Sequence, residues 1–158
     1  MAASLRSAHA GDEEFLFKLY ASTRESEFAA LGLSRAQLEP LLRMQFAAQK
    51  QWYQTAYPGS DYYIATMEGA PIGRMVVKRS PDAVLLVDIA LLPEHRGQGT
   101  GERLLRNLLR ESSARGLPVR LQVLKNNPAS RLYERLGFVK TGEDQMYWQM
   151  ERRPDPAS

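Results

Sequence analysis

The chain has 158 residues, 44% of them hydrophobic and 25% charged, and its 21 Lys and Arg against 18 Asp and Glu leave a net charge of +3. That apolar share suffices for one folded core and excludes a chain disordered throughout. Cysteine is absent, which excludes disulfides, thiolate metal sites and a cysteine nucleophile.

The two histidines, His9 and His95, are far apart in sequence, so a histidine-rich metal site is not expected. No apolar run approaches the ~18 residues that a membrane span requires. Met1 to Gly11 lacks the apolar stretch and basic flank of a signal peptide. A soluble, cytoplasmic protein without a membrane partner is expected. Sixteen of the 21 cations are arginine, spread along the chain; they fit a solvated surface or a leaning toward phosphate-bearing ligands. No basic cluster interleaved with aromatics marks a nucleic-acid partner.

Ser4 to Ala8 reads as a short first strand. Asp12 is expected to cap a helix carrying Phe15, Leu16 and Leu19 on one face, and 21–33 reads as an irregular segment. Ser34 and Gln37 have capping-box spacing and open a second helix, with Pro40 in its first turn and Pro58-Gly59 at its end. Tyr62 to Met67 and Ile72 to Arg79 flank a turn and read as a hairpin. Ala83 to Leu92 is nearly continuous apolar sequence, fitting a central strand buried on both faces. Gly97 to Arg115 reads as a helix, Val119 to Leu124 as a strand, and Pro128 to Leu136 as a short helix stopped by Gly137. Strands near Phe138 to Thr141 and Gln145 to Met150 complete the order. The strand–helix–strand unit over 83–124 predicts a parallel pair. A single domain is expected over 1–151, with 152–158 as a disordered tail.

Chemistry concentrates where the apolar strand ends. Pro93-Glu94-His95 leads into Arg96-Gly97-Gln98-Gly99-Thr100-Gly101, a glycine-rich loop that opens a helix. Glycines admit positive φ and close ligand approach, and the free amides of a helix start attract anions. A phosphate or pyrophosphate cradle is the physical reading, with a ligand-free turn as the alternative. A dinucleotide fingerprint fails because Glu102 stands where its third glycine belongs, and no Walker Gly-Lys-Ser/Thr occurs. Asp88 also stands out, since a carboxylate inside an apolar strand needs a partner or a task. It is read as a general base, as half of a structural ion pair or as a carboxylate reaching the rim of the sheet.

The segment Arg96 to Gly101 resembles the Arg/Gln-x-x-Gly-x-Gly/Ala loop of the GNAT superfamily of acyl-CoA-dependent N-acetyltransferases. Asn126-Asn127-Pro128-Ala129-Ser130-Arg131-Leu132-Tyr133-Glu134-Arg135-Leu136-Gly137-Phe138 resembles that family's second motif, and Ile89 to Pro93 looks like its fourth strand. The resemblance is clear over 83–140. It implies a mixed α/β (α+β) fold: a central, largely antiparallel sheet of six to seven strands, splayed between the fourth and fifth and flanked by about four helices. It further implies acetyl transfer from acetyl-CoA, with no metal, to a primary amine of a small molecule or peptide, directly and through a tetrahedral intermediate.

By the same resemblance, Gly97, Gln98, Gly99, Thr100 and Gly101, assisted by Arg96, would hold the cofactor pyrophosphate. The backbone of Ile89 and Leu91 would pair with the pantetheine arm, and the Leu91 amide would meet the oxyanion. Asn126 or Asn127 would bond the cofactor. Tyr133 would sit at the thioester and protonate the leaving thiolate. Glu25 and Glu27, in a loop capping the acceptor site, would bind the cationic amine, and Tyr53, Tyr62, Tyr63 and Tyr147 are candidates to line its pocket. Gln122 takes the place of a strand-five glutamate found in some members that acetylate protein N-termini. A non-catalytic CoA-binding sensor or scaffold is the alternative, and the resemblance leaves room for a homodimer.

Overall fold

The computed structural model describes residues 2–156. The elements run β1 (Ser4–Ser7), α1 (Glu13–Ala29), α2 (Arg35–Ala56), β2 (Asp61–Met67), β3 (Ala70–Arg79), β4 (Val84–Leu91), α3 (Thr100–Ala114), β5 (Val119–Leu124), α4 (Ala129–Arg135), β6 (Val139–Glu143) and β7 (Tyr147–Arg152). Single 3-10 turns at Ala10–Asp12 and Pro93–His95 precede α1 and α3. The seven strands form one sheet in the order β1-β2-β3-β4-β5-β7-β6. Every pair is antiparallel except β4 with β5, the parallel pair that the strand–helix–strand unit calls for.

Local chemistry explains most element ends. Glu68 and Gly69 both have positive φ and close β2 onto β3 as a two-residue hairpin turn. Ser34 and Gln37 form the expected capping box on α2. On α3, Leu104, Leu105, Leu108, Leu109 and Ser112 make one buried stripe against the sheet, the pattern of an amphipathic helix. A smaller cluster of Phe17, Tyr20, Leu42 and Phe46 joins α1 to α2.

Five expectations need correction. The segment read as irregular over 21–33 is helical to Ala29, because Leu16, Leu19, Tyr20 and Phe28 continue an apolar face that α2 and the sheet cover. Asp12 does not cap α1 with its side chain. Its carboxylate instead takes two bonds from the Arg6 guanidinium, at 2.8 and 2.9 Å, and one from the His9 amide, which hold it well below the usual carboxylate range. Pro40 lies in the second turn of α2 rather than the first, so the helix forgoes one backbone bond there. The strand read as buried on both faces is fully covered only near its start, since Val87 to Leu91 are partly exposed. The last strand also runs to Arg152, whose guanidinium bonds Leu136 O and Asp155; 157–158 lie outside the described residues.

Gly73 sets how closely β3 and β4 approach. A Cβ there would stand 2.3 Å from Ala90 O and 2.7 Å from a Leu91 methyl, closer than any real contact. Gly73→Ala is therefore expected to force β4 away at Ala90 and Leu91 and to destabilise the fold by about 1–3 kcal/mol, read as a lower thermal midpoint. An unchanged midpoint would mean that the two strands are not locked at this point.

Candidate functional site

The site begins with a parting of strands. β4 and β5 pair over three residues only, Val84 to Leu86 against Val119 to Leu121. Beyond that point β4 stays on β3 as far as Leu91, while β5 stays on β7 as far as Leu124. Val87 is an extra residue at a bulge, since Val76 faces Asp88 while Val77 faces Leu86. A bulge bends and twists its strand, which turns the end of β4 away from β5. The gap opens into a cleft of about 590 Å³, walled by Val87 to Ala90 on one side and Leu121 to Leu124 on the other.

Backbone donors face this gap. The Leu92 amide donates to Ile72 O at 2.8 Å. Successive amides of an antiparallel strand alternate in direction, so those of Ile89 and Leu91 point away from β3, toward the space that β5 has left.

The glycine-rich loop lies at the end of the same strand. Gly97 and Gly99 adopt φ of 73° and 80°, and a Cβ on either would meet open space, so backbone conformation rather than crowding requires glycine there. Among the described residues, the six amides of 97–102 find no protein acceptor. They run from the loop into the first turn of α3, whose dipole adds to the positive potential. Six unpaired donors with an open approach suit a diphosphate. Arg96 lies beside them, but its Nε donates to Leu91 O at 2.9 Å and its guanidinium reaches Ser22 Oγ at 3.5 Å. It thereby ties the loop to β4 and α1.

Inside the cleft, Asp88 and Arg74 form a 2.7 Å ion pair with side chains 25% and 12% exposed. Arg74 also donates to Gln49 Oε1 at 2.8 Å and lies over the Tyr53 ring. Burial works against the Arg74 charge, but the Asp88 carboxylate, followed by Tyr53, outweighs it. The second oxygen of Asp88, Oδ1, takes no protein hydrogen bond among the described residues. Tyr133, on α4, is buried edge-on to Phe138 and lines the cleft. Burial, and then the Asp88 charge, push its phenol up to about 12, so it carries its proton at neutral pH. Tyr53 is raised as well, by burial first and by Asp88 second.

The cleft gathers Asp88, Ile89, Asn126, Asn127 and Tyr133 of the sequence candidates, with Glu27, Gln122, Tyr53 and Tyr147. Asn127 is already engaged, its Oδ1 accepting from the Ala129 amide at the start of α4. The Asn126 side chain has no hydrogen-bond partner among the described residues, so it is the freer of the two. Glu25 does not belong to the cleft. Both glutamates sit on α1 rather than in a loop, and a two-residue step turns them about 200° apart on a helix. Glu25 instead faces a pocket with Phe17, Arg35 and Leu42. Tyr62 and Tyr63 also lie outside; Tyr63 accepts from Arg79. Leu91 stands just past the cleft wall.

Sequence reasoning did not single out Arg24, Gln49, Gly73 or Arg74. A glycine inside a strand pattern signals close backbone approach, which is the role of Gly73. Arg74 and Asp88 carry opposite charges on neighbouring strands, and they meet as diagonal partners across the β3–β4 ladder, where Arg74 lies opposite Ala90. Arg24 and Gln49 reach the site only through the packing of α1 and α2.

Comparison with known proteins agrees with this geometry. The family model described as Acetyltransferase (GNAT) domain matches residues 58–140, just over half of the chain. A Bacillus subtilis (strain 168) protein, provisionally named a ribosomal protein bS18-alanine N-acetyltransferase, is 32% identical over 94 residues. That match spans 58% of this chain and 62% of the relative, less than two thirds of its length. The structure of PaiA N-acetyltransferase from Thermoplasma acidophilum in complex with coenzyme A superposes with a TM-score of 0.72 at 20% identity, covering 97% of this chain and 99% of that one. The ribosomal-protein-S18-alanine N-acetyltransferase of Escherichia coli gives 0.64 at 20% identity over 99% and 96% of the two chains. With the splayed sheet, the open glycine loop and the family model all in accord, the chain belongs to the GNAT acetyltransferase family.

Proposed function

We propose that the protein is an N-acetyltransferase that moves the acetyl group of acetyl-CoA directly to a primary amine. The observation that carries this reading is the union, on one strand, of a glycine loop with six unpaired amides and a gap faced by the amides of Ile89 and Leu91. Bound acetyl-CoA supplies a thioester whose C–S bond breaks as a C–N bond to the acceptor forms.

The chain's own groups divide the remaining work. The amides of 97–102 hold the diphosphate, and Thr100 and Gly101 begin the helix that completes the cradle. The Ile89 and Leu91 backbone receives the pantetheine arm as an added strand edge. The Leu91 amide is placed to meet the oxyanion as it develops. Asn126 offers a free side-chain amide to the arm. Tyr133 keeps its proton and gives it to the departing thiolate. The attacking amine must shed a proton, and Asp88 Oδ1 is the carboxylate oxygen left free to receive it. A cytoplasmic setting follows from acetyl-CoA as co-substrate.

The Arg74–Asp88 pair favours one second reading, a CoA-binding protein without turnover, because a carboxylate committed to an arginine has a structural task already. Release of free CoA in the presence of an acceptor separates the two readings.

Gly99→Glu places a carboxylate among the amides and a side chain at positive φ, so calorimetric titration with acetyl-CoA is expected to show affinity reduced at least about 100-fold. Retention of wild-type affinity would remove the loop from the site. Tyr133→Phe is expected to lower kcat by about 100-fold with little change in acetyl-CoA affinity. An unaltered kcat would return Tyr133 to packing.

Tyr133 also makes a stability prediction. Its raised folded-state value favours the protonated form, so the buried phenol's contribution is intact below about pH 10, the ordinary tyrosine value, and is lost as pH rises toward 12. Denaturant titrations at pH 8 and pH 11 should therefore show a smaller alkaline loss for Tyr133→Phe than for wild type. Equal losses would contradict a buried, protonated phenol.

A further inference from the structure

The acceptor end of the cleft has a charge arrangement that selects among amines. Four charged side chains line the cleft, Arg24, Glu27, Arg74 and Asp88. Arg74 and Asp88 pair at 2.7 Å and are mostly covered, with Asp88 Oδ1 left without a protein partner among the described residues. Arg24 and Glu27 are joined by a single longer contact, Arg24 Nη1 to Glu27 Oε1 at 3.3 Å, and the Glu27 side chain is 57% exposed. Arg24 and Glu27 are thus the weakly committed charges of the set, and Arg24 is the cation. Its Nε is buried without a hydrogen-bond partner, and its Nη2 meets no protein acceptor among the described residues. The guanidinium lies 5.1 Å from the Tyr20 ring centre; burial works against its charge, and Tyr20, followed by Glu27, sustains it.

The Nε–Nη2 edge of a guanidinium is a fork matched to the two oxygens of a carboxylate. A buried donor without a partner is costly, and an incoming anion that reaches it by a small rotation of the guanidinium relieves that cost. A dication or polyamine would meet two carboxylates that each face an arginine already, Asp88 with Arg74 and Glu27 with Arg24.

Resting on the acetyltransferase reading, we propose that the acceptor is a small amine that carries its own carboxylate, an amino acid-like zwitterion, with that carboxylate bound by Arg24 and the amine directed toward Asp88. Arg24 and Asp88 line the same cleft as Tyr53 and Tyr133, so an acceptor held there can meet both charges. An unblocked peptide N-terminus offers Arg24 one uncharged carbonyl oxygen where the zwitterion offers a charged pair.

The test has two independent parts. Calorimetric titration with acetyl-CoA alone examines the acetyltransferase reading; no binding would fail that reading and this inference with it. CoA release is then measured with the common α-amino acids, their carboxamides and their decarboxylated amines, together with an alanine-initiated peptide. The expected result is that at least one free amino acid reacts with kcat/KM ~10-fold or more above its carboxamide and its decarboxylated amine. In Arg24→Gln that ratio should fall about 10-fold, through KM for the acceptor, while the affinity for acetyl-CoA stays as in wild type. Arg24→Lys, which keeps the charge and loses the fork, should recover only part of the ratio. Binding of acetyl-CoA with equal or better use of carboxamides, decarboxylated amines or the peptide would overturn the inference and leave the acetyltransferase reading standing. Binding with no acceptor used at all would overturn it too and favour the protein without turnover.

Discussion

Three residue pairs hold β4 to β5, and the separation that follows governs the rest of the structure. A continuous sheet would bury the amides of Ile89 and Leu91 in ladder bonds and leave no cleft. The bulge at Val87 bends β4, and Gly73 lets β3 follow it closely enough to keep the other edge paired. α3 buries its leucine stripe in the sheet's main core, and β7 continues beside β5 to Leu124.

The same separation turns a strand into a binding surface with two ends. At one end the strand delivers the chain into the glycine loop, where positive φ at Gly97 and Gly99 exposes consecutive amides. At the other, Asp88 leaves the ladder's apolar company and meets Arg74. Tyr133 comes from a different element, the short helix after β5, and its burial keeps its proton in place. The proposed phosphate cradle, arm-binding edge and proton donor thus come from the loop with α3, from β4 and from α4. α1 and α2 contribute Arg24, Glu27, Gln49 and Tyr53 to the cleft lining.

How much of this can be read from the sequence depends on whether the signal is local. The glycine loop is legible because positive φ and unpaired amides follow from residue type and position within a few residues. The parallel β4–β5 pair is legible because a strand–helix–strand unit allows little else. The Asp88 partner is less so: the charge is visible in an apolar strand, but Arg74 lies in another strand and is fixed only by register. The assignment of Glu25 and Glu27 to a loop is corrected for a related reason. Reading 21–33 as a loop hides the helical periodicity that sends the two residues to different surfaces, and tertiary cover from α2 and the sheet, rather than local propensity, carries α1 to Ala29. Arg24 is beyond sequence reasoning altogether, since nothing local distinguishes it from the other fifteen arginines.

The central claim is that the amides of 97–102, with those of Ile89 and Leu91, are donors kept free for acetyl-CoA. Amide hydrogen exchange resolved by residue, with and without acetyl-CoA, addresses it directly. The account predicts that exchange slows on binding at 97–102 and at Ile89 and Leu91, while the already bonded Leu92 amide changes little. Binding that protects other segments and leaves these amides as fast as before would contradict it.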